Sequence, residues 1–105
     1  MDKDYMDGKT GIAPAVLEEI RSLARKNRVQ KVVLFGSRAR GDFHRASDID
    51  LAVLGGNPAI FALELEDMTS TLLTYDVVDL GLPLQHDFLN AIRQEGIILY
   101  EMSTE

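Results

Sequence analysis

The sequence predicts one small α+β domain, and three observations carry that expectation. Its 105 residues suit a single domain. Four short apolar runs dense in Val, Ile and Leu read as strands, and the stretches between them include three with apolar residues at helical spacing. The resulting order is helix, strand, strand, helix, strand, helix, strand, with no repeat and no low-complexity segment.

Composition narrows the function classes. With 46% hydrophobic and 27% charged residues, the chain can bury a modest core. It has no cysteine, so disulfides and thiolate metal sites are excluded, which fits a cytoplasmic protein. The start MDKDYMDGKTG lacks the apolar core of a signal peptide, and no later run is long enough to span a bilayer, so the expectation is a soluble chain with no membrane role. A net charge of −6 argues against broad nucleic-acid binding, which normally rests on a basic footprint. The charge is unevenly spread. Arg21, Arg25, Lys26, Arg28, Lys31, Arg38, Arg40 and Arg45 fall in a span whose one acid is Asp42, and the chain beyond is strongly acidic. This is either a solvated helix face with a loop, or a local anion site with Arg38 and Arg40 as its candidates.

Residues 1–12 read as a flexible tail and 13–105 as the folded domain. Pro14 suits a first helical turn, and Val16, Leu17, Ile20, Leu23 and Ala24 form an apolar stripe behind it. Lys31 to Phe35 is a buried strand ended by Gly36-Ser37. Ser37 to Arg40 fits one helical turn, Gly41 to Ser47 a loop, and Asp48 to Leu54 a second strand stopped at Gly55-Gly56-Asn57-Pro58. A long helix is expected from Ala59 to about Leu73 and a third strand over Tyr75 to Leu80. A last helix runs from Pro83 to about Gln94, closed by Gly96, and a fourth strand covers Ile97 to Tyr100.

Chemistry concentrates in the second strand. Asp48 and Asp50 alternate with Ile49, Leu51 and Val53, so the two carboxylates share a face. An ionised pair in a packed strand is costly, and a raised pKa, an arginine or a divalent cation must offset it. With no Cys and only His44 and His86, the oxygen-only donors suit Mg²⁺. A D-x-D pair alone is common at exposed strand ends. Three companions sharpen it: Gly36-Ser37 after a strand, where backbone and hydroxyl can take a phosphate oxygen; Arg38 and Arg40, whose guanidinium groups suit phosphates; and Asp79, where an aliphatic residue would be expected. Asp76 reads as solvated and faces opposite to Asp79 by parity. His44 and His86 read as exposed, and Glu64, Glu66 and Asp67 as a solvated helix face.

The string GSRARGDFHRASDIDLAV resembles the signature of the nucleotidyltransferase superfamily typified by DNA polymerase beta. Phe35, Gly36, Ser37, Asp48, Ile49, Asp50 and Leu51 match its positions, and Asp79 falls where a third carboxylate is expected. The leading helix and closing EGIILYE make the chain similar along its length to the minimal nucleotidyltransferases. The resemblance implies a mixed four-stranded sheet packed against helices. It also implies two Mg²⁺ ions on Asp48, Asp50 and Asp79, with Asp79 helping to deprotonate the attacking hydroxyl. Gly36 and Ser37, assisted by Arg38 or Arg40, would hold the phosphates of ATP. As the antitoxins of HEPN/MNT pairs do, it would move AMP onto a tyrosine of a partner HEPN-domain RNase toxin, with no nucleic-acid template. Two other readings stay open: a non-catalytic antitoxin that masks its partner by contact, and a small-molecule nucleotidyltransferase, for which the chain lacks a substrate domain.

Overall fold

A computed structural model describes residues 9–103. Pro14 opens helix α1 (Pro14–Lys26), whose missing amide costs nothing in a first turn. Its Val16, Leu17, Ile20, Leu23 and Ala24 are buried, as the spacing predicts. The chain continues through β1 (Lys31–Phe35), the single turn α2 (Ser37–Arg40), β2 (Ile49–Leu54), α3 (Pro58–Met68), β3 (Tyr75–Asp79), α4 (His86–Glu95) and β4 (Ile97–Glu101).

These strands form one sheet in the order β3-β2-β1-β4. β1 lies antiparallel to both β2 and β4, whereas β2 and β3 run parallel and are joined by α3, the crossover that parallel neighbours require. The sheet is therefore mixed, as expected.

Alternation sorts the strand side chains between two faces. Val32, Leu34, Leu51 and Val53 point to one face, where they form the main core with the α1 stripe and with Phe61 and Leu65 of α3. Burying each of these large side chains contributes about 1.5–3 kcal/mol. The other face carries Val33, Phe35, Asp50 and Ala52. Only α4 covers it among the described elements, through Ile92 in a small second cluster and Phe88, whose ring meets Phe35 edge-on at 5.7 Å. That thinner cover leaves room for polar groups at the Phe35–Asp50 end.

Several boundaries differ from the sequence reading. The expected tail reached residue 12, but Thr10 and Ile12 are buried, because Ile12 joins the main core and Thr10 lies beside Arg38. Residues 1–8 of that tail lie outside the described residues. α3 ends at Met68, where the Thr69 hydroxyl donates to the Leu65 carbonyl and links to the Tyr75 hydroxyl, turning the chain toward β3. α4 starts at His86, three residues after Pro83. Gly96 closes α4 with an ordinary backbone (φ −68°); its lack of a side chain matters because a Cβ there would strike the Ile92 carbonyl and the Val33 side chain. Among the described residues no helix is long and apolar enough to cross a membrane.

Candidate active site

β1 delivers Phe35 directly opposite Asp50 of β2. The next residue, Gly36, takes φ 75° and ψ −158°, a conformation that side chains rarely tolerate, and a Cβ on it would collide with the Asp50 carboxylate. Its bareness lets the backbone lie against that acid. The turn α2 follows, with the Gly36 carbonyl accepting from the Ala39 and Arg40 amides and the Ser37 carbonyl from those of Gly41 and Asp42. Gly36, Ser37 and Asp50 are thus neighbours, as the motif suggests.

Asp48 stands just ahead of β2, exposed, and its Oδ1 accepts a hydrogen bond from the Thr74 hydroxyl. The Ile49 amide donates to the Thr74 carbonyl at 2.9 Å, so the entry to β3 is tied to the entry to β2. This tie aligns the two parallel strands from their first residues. Asp50 consequently pairs with Asp76.

Adjacent strands lie about 4.8 Å apart, and two carboxylates at that spacing repel by about 3 kcal/mol at an effective dielectric of 20. Asp50 shows the strain in its pKa, which is raised above the ordinary 3.8. Burial is the largest cause, followed by the charges of Asp76 and Asp48; Arg40 opposes the rise and Glu95 adds to it.

The structure does not bring Asp79 to this group. Asp79 is level with Val53, three residues beyond Asp50 along the strand, and its parity turns it to the opposite face. Its Oδ1 accepts from the Gly81 amide at 2.8 Å and caps the turn after β3. Asp76, which the sequence reads as solvated, is exposed, and it is the aspartate of this strand that stands beside Asp50. Asp50 and Asp76 each stand second in their strands in the structure, a match hidden from the sequence because the second strand was expected to begin at Asp48.

Arg38 is also elsewhere than expected. It is 1% exposed. Its Nε donates to the Ser47 carbonyl, Nη1 to Thr10, and Nη2 to Arg45 and more weakly to His44, while the guanidinium lies 4.8 Å from the Phe43 ring centroid. Burial lowers its pKa from the arginine value. With these donors on backbone carbonyls, Arg38 braces the 41–47 loop and is not aimed at the Gly36–Asp50 group.

Arg40 stays exposed at the site. Its Nε donates to Asp42 at 3.2 Å and its Nη1 to Glu95 Oε1 at 3.0 Å. The same Glu95 oxygen accepts from the Gly36 amide at 2.9 Å. Glu95 is thus a site residue that the sequence reading missed. His44 and His86 are exposed, as expected. Glu66 accepts from the Tyr75 amide, whereas Glu64 accepts from Lys26 and Asn27 and so fastens α3 to α1 instead of being merely solvated.

Among the described residues no three His, Cys, Asp or Glu already surround a cation position. The donor chemistry nevertheless fits one. Asp48, Asp50 and Asp76 supply only carboxylate oxygens, and the charges of Asp76 and Asp48 beside Asp50 are ones a hard divalent ion would neutralise. An apolar cleft of about 410 Å³ opens on the same sheet face, but Lys31, Leu54, Leu80 and Ile98 line it, at the opposite end from Asp50.

The fold has known counterparts. The family described as Polymerase beta, Nucleotidyltransferase matches residues 18–105. The "Putative protein adenylyltransferase MJ0604" of Methanocaldococcus jannaschii is 32% identical over 97 residues, covering 82% of this chain and 95% of that protein. A crystal structure of a toxin-antitoxin with AMP-PNP contains a chain 33% identical to this one, with a TM-score of 0.65 and coverage of 82% of this chain and 73% of the other. A mutant toxin-antitoxin MntA-HpeT complex gives 30% identity, a TM-score of 0.64 and the same coverage.

Proposed function

We propose that this chain, which belongs to the Polymerase beta nucleotidyltransferase family, transfers AMP from ATP to a tyrosine of a HEPN-domain toxin and thereby acts as its antitoxin. The observation that carries the reading is the parallel register that sets Asp76 beside Asp50, under a Gly36 backbone held against the same carboxylate. The similarity to a protein named as an adenylyltransferase and to toxin-antitoxin structures, one holding AMP-PNP, supports the choice of donor and of acceptor class. The chemistry belongs in the cytoplasm, where ATP is abundant.

In this reading the Gly36 amide, Ser37 and Arg40 hold the β- and γ-phosphates, and Asp48, Asp50 and Asp76 are the ligands of two Mg²⁺ ions. When bound, those ions draw negative charge from the phosphates and favour in-line displacement. The acceptor oxygen bonds to the α-phosphorus as the α–β bridging P–O bond breaks, and pyrophosphate leaves. A carboxylate oxygen of Asp76 receives the hydroxyl proton. Thr74 keeps Asp48 oriented, and Arg38 keeps the loop before it in shape.

The test is transfer of label from α-phosphate-labelled ATP, with Mg²⁺, to the partner protein, with Asp50→Asn alongside. Label moved by the wild type alone supports the reading. A complex that forms while no label moves overturns it in favour of masking by contact.

A further inference from the structure

The proposed phosphate site already holds an anion, and it comes from the chain itself. Glu95 closes α4, and its Oε1 accepts from the Gly36 amide at 2.9 Å and from Arg40 Nη1 at 3.0 Å. Those are two of the three groups assigned above to the β- and γ-phosphates. A carboxylate oxygen that takes a backbone amide and a guanidinium together makes the contacts a phosphate oxygen would make. Glu95 also faces Asp50 and adds to the negative field there. One amide hydrogen cannot serve both acceptors at full strength, so the carboxylate and a triphosphate compete.

We propose that Glu95 is an internal stand-in for the nucleotide's phosphates, which occupies the Gly36–Arg40 position in the free chain and must swing away before a triphosphate binds. This inference rests on the nucleotide reading of the site. It gives the residue two effects. In the free chain Glu95 keeps the Gly36 amide and the Arg40 guanidinium in place beside a cluster of acids. It also selects ligands, because a nucleotide whose phosphates do not reach both donors leaves the carboxylate where it is. A triphosphate can displace it, and a monophosphate gains nothing from its removal.

Calorimetric titration of the full chain with AMP-PNP and with AMP, each with Mg²⁺, tests this in the wild type, Glu95→Gln and Glu95→Asp. Glutamine can still accept from Gly36 and keeps the helix end folded, but it is a weaker, uncharged partner. Aspartate keeps the charge and is one methylene too short to reach both donors. Both variants are expected to bind AMP-PNP about tenfold more tightly than the wild type, a gain of about 1.4 kcal/mol, with AMP affinity unchanged. A gain in Glu95→Gln alone, or an equal gain for AMP, would overturn the proposal by reducing it to a general effect of charge. AMP-PNP bound equally by all three proteins would remove the stand-in role and leave the nucleotide reading intact. No AMP-PNP binding by any of them would overturn that reading and this inference with it.

Discussion

Asp50 and Asp76 stand level on adjacent parallel strands, with the Gly36 backbone against the first of them. The pairing follows from the tie between Thr74 and the start of β2, through the Ile49 amide and the Asp48 carboxylate. It gives the second aspartate of the D-x-D pair an acidic neighbour that the D-x-D spacing does not contain.

That register separates two aspartates of one strand by position, Asp76 beside Asp50 and Asp79 level with Val53. Asp76→Asn is expected to lower AMP transfer by about 100-fold or more, the scale of a lost proton acceptor or metal ligand. Asp79→Asn keeps an Oδ1 that can accept from the Gly81 amide, so transfer should stay within about threefold and stability within about 0.5 kcal/mol. Initial rates of label transfer for the two variants check this; the reverse order would return the third carboxylate to Asp79.

Much of the site was legible in the sequence, and what was missed has a common cause. Gly36 and Ser37 directly follow β1, and Asp48 and Asp50 lie at the start of β2, so a local motif brings them together. Choosing between Asp76 and Asp79 needs the register of a parallel pair, which the crossover α3 and Thr74 set and which periodicity does not encode. Arg38 looked like a surface cation because most arginines are; its burial depends on the Thr10, Arg45 and Ser47 carbonyls converging on it. Glu95 comes to Gly36 from the end of a helix 59 residues away. The helix stripes and strand cores, by contrast, are local patterns, and they predicted the elements to within a few residues at most boundaries.

The site is built at a cost to the fold. The pKa of Asp50 is raised in the folded chain, so between its ordinary 3.8 and the raised value the unfolded chain gives up this proton first. The contribution of Asp50 to stability is therefore greatest in acid and is lost as pH rises through that window. Asp50→Asn should raise the melting temperature at pH 7 by roughly 2–5 °C, with solvent screening limiting the gain. The advantage should fade below about pH 3.8, where both states hold the proton, and label transfer should be abolished throughout. Melting curves at pH 7 and pH 3.5 check the sign; a lower melting temperature for the variant at pH 7 would contradict it.

Mg²⁺ should act on the same surplus charge. Millimolar Mg²⁺ is expected to raise the melting temperature of the wild type by a few degrees, because an ion that binds only the folded chain stabilises it by mass action. Asp50→Asn should lose most of that response. An equal response in the two proteins would place the ion elsewhere.

Arg38 gives a prediction of the opposite kind, on stability before activity. Its guanidinium is buried and donates to four backbone carbonyls, those of Thr10, His44, Arg45 and Ser47. In Arg38→Ala those acceptors lose their donor inside the protein, and the Phe43 ring loses the plane it stacks on, so the expected loss is about 2–4 kcal/mol. Arg38→Lys should recover little of it, since an ammonium offers no planar fork to reach acceptors on both sides. Urea unfolding should show lower midpoints for both variants with similar slopes. Nucleotide affinity of the fraction that remains folded should fall by less than about threefold, because Arg38 does not face the phosphates, whereas Arg40→Ala should weaken AMP-PNP binding by about tenfold or more with little change in the midpoint. If instead Arg38→Lys left the midpoint intact and lost nucleotide binding, the guanidinium would have to leave its four carbonyls in the working enzyme.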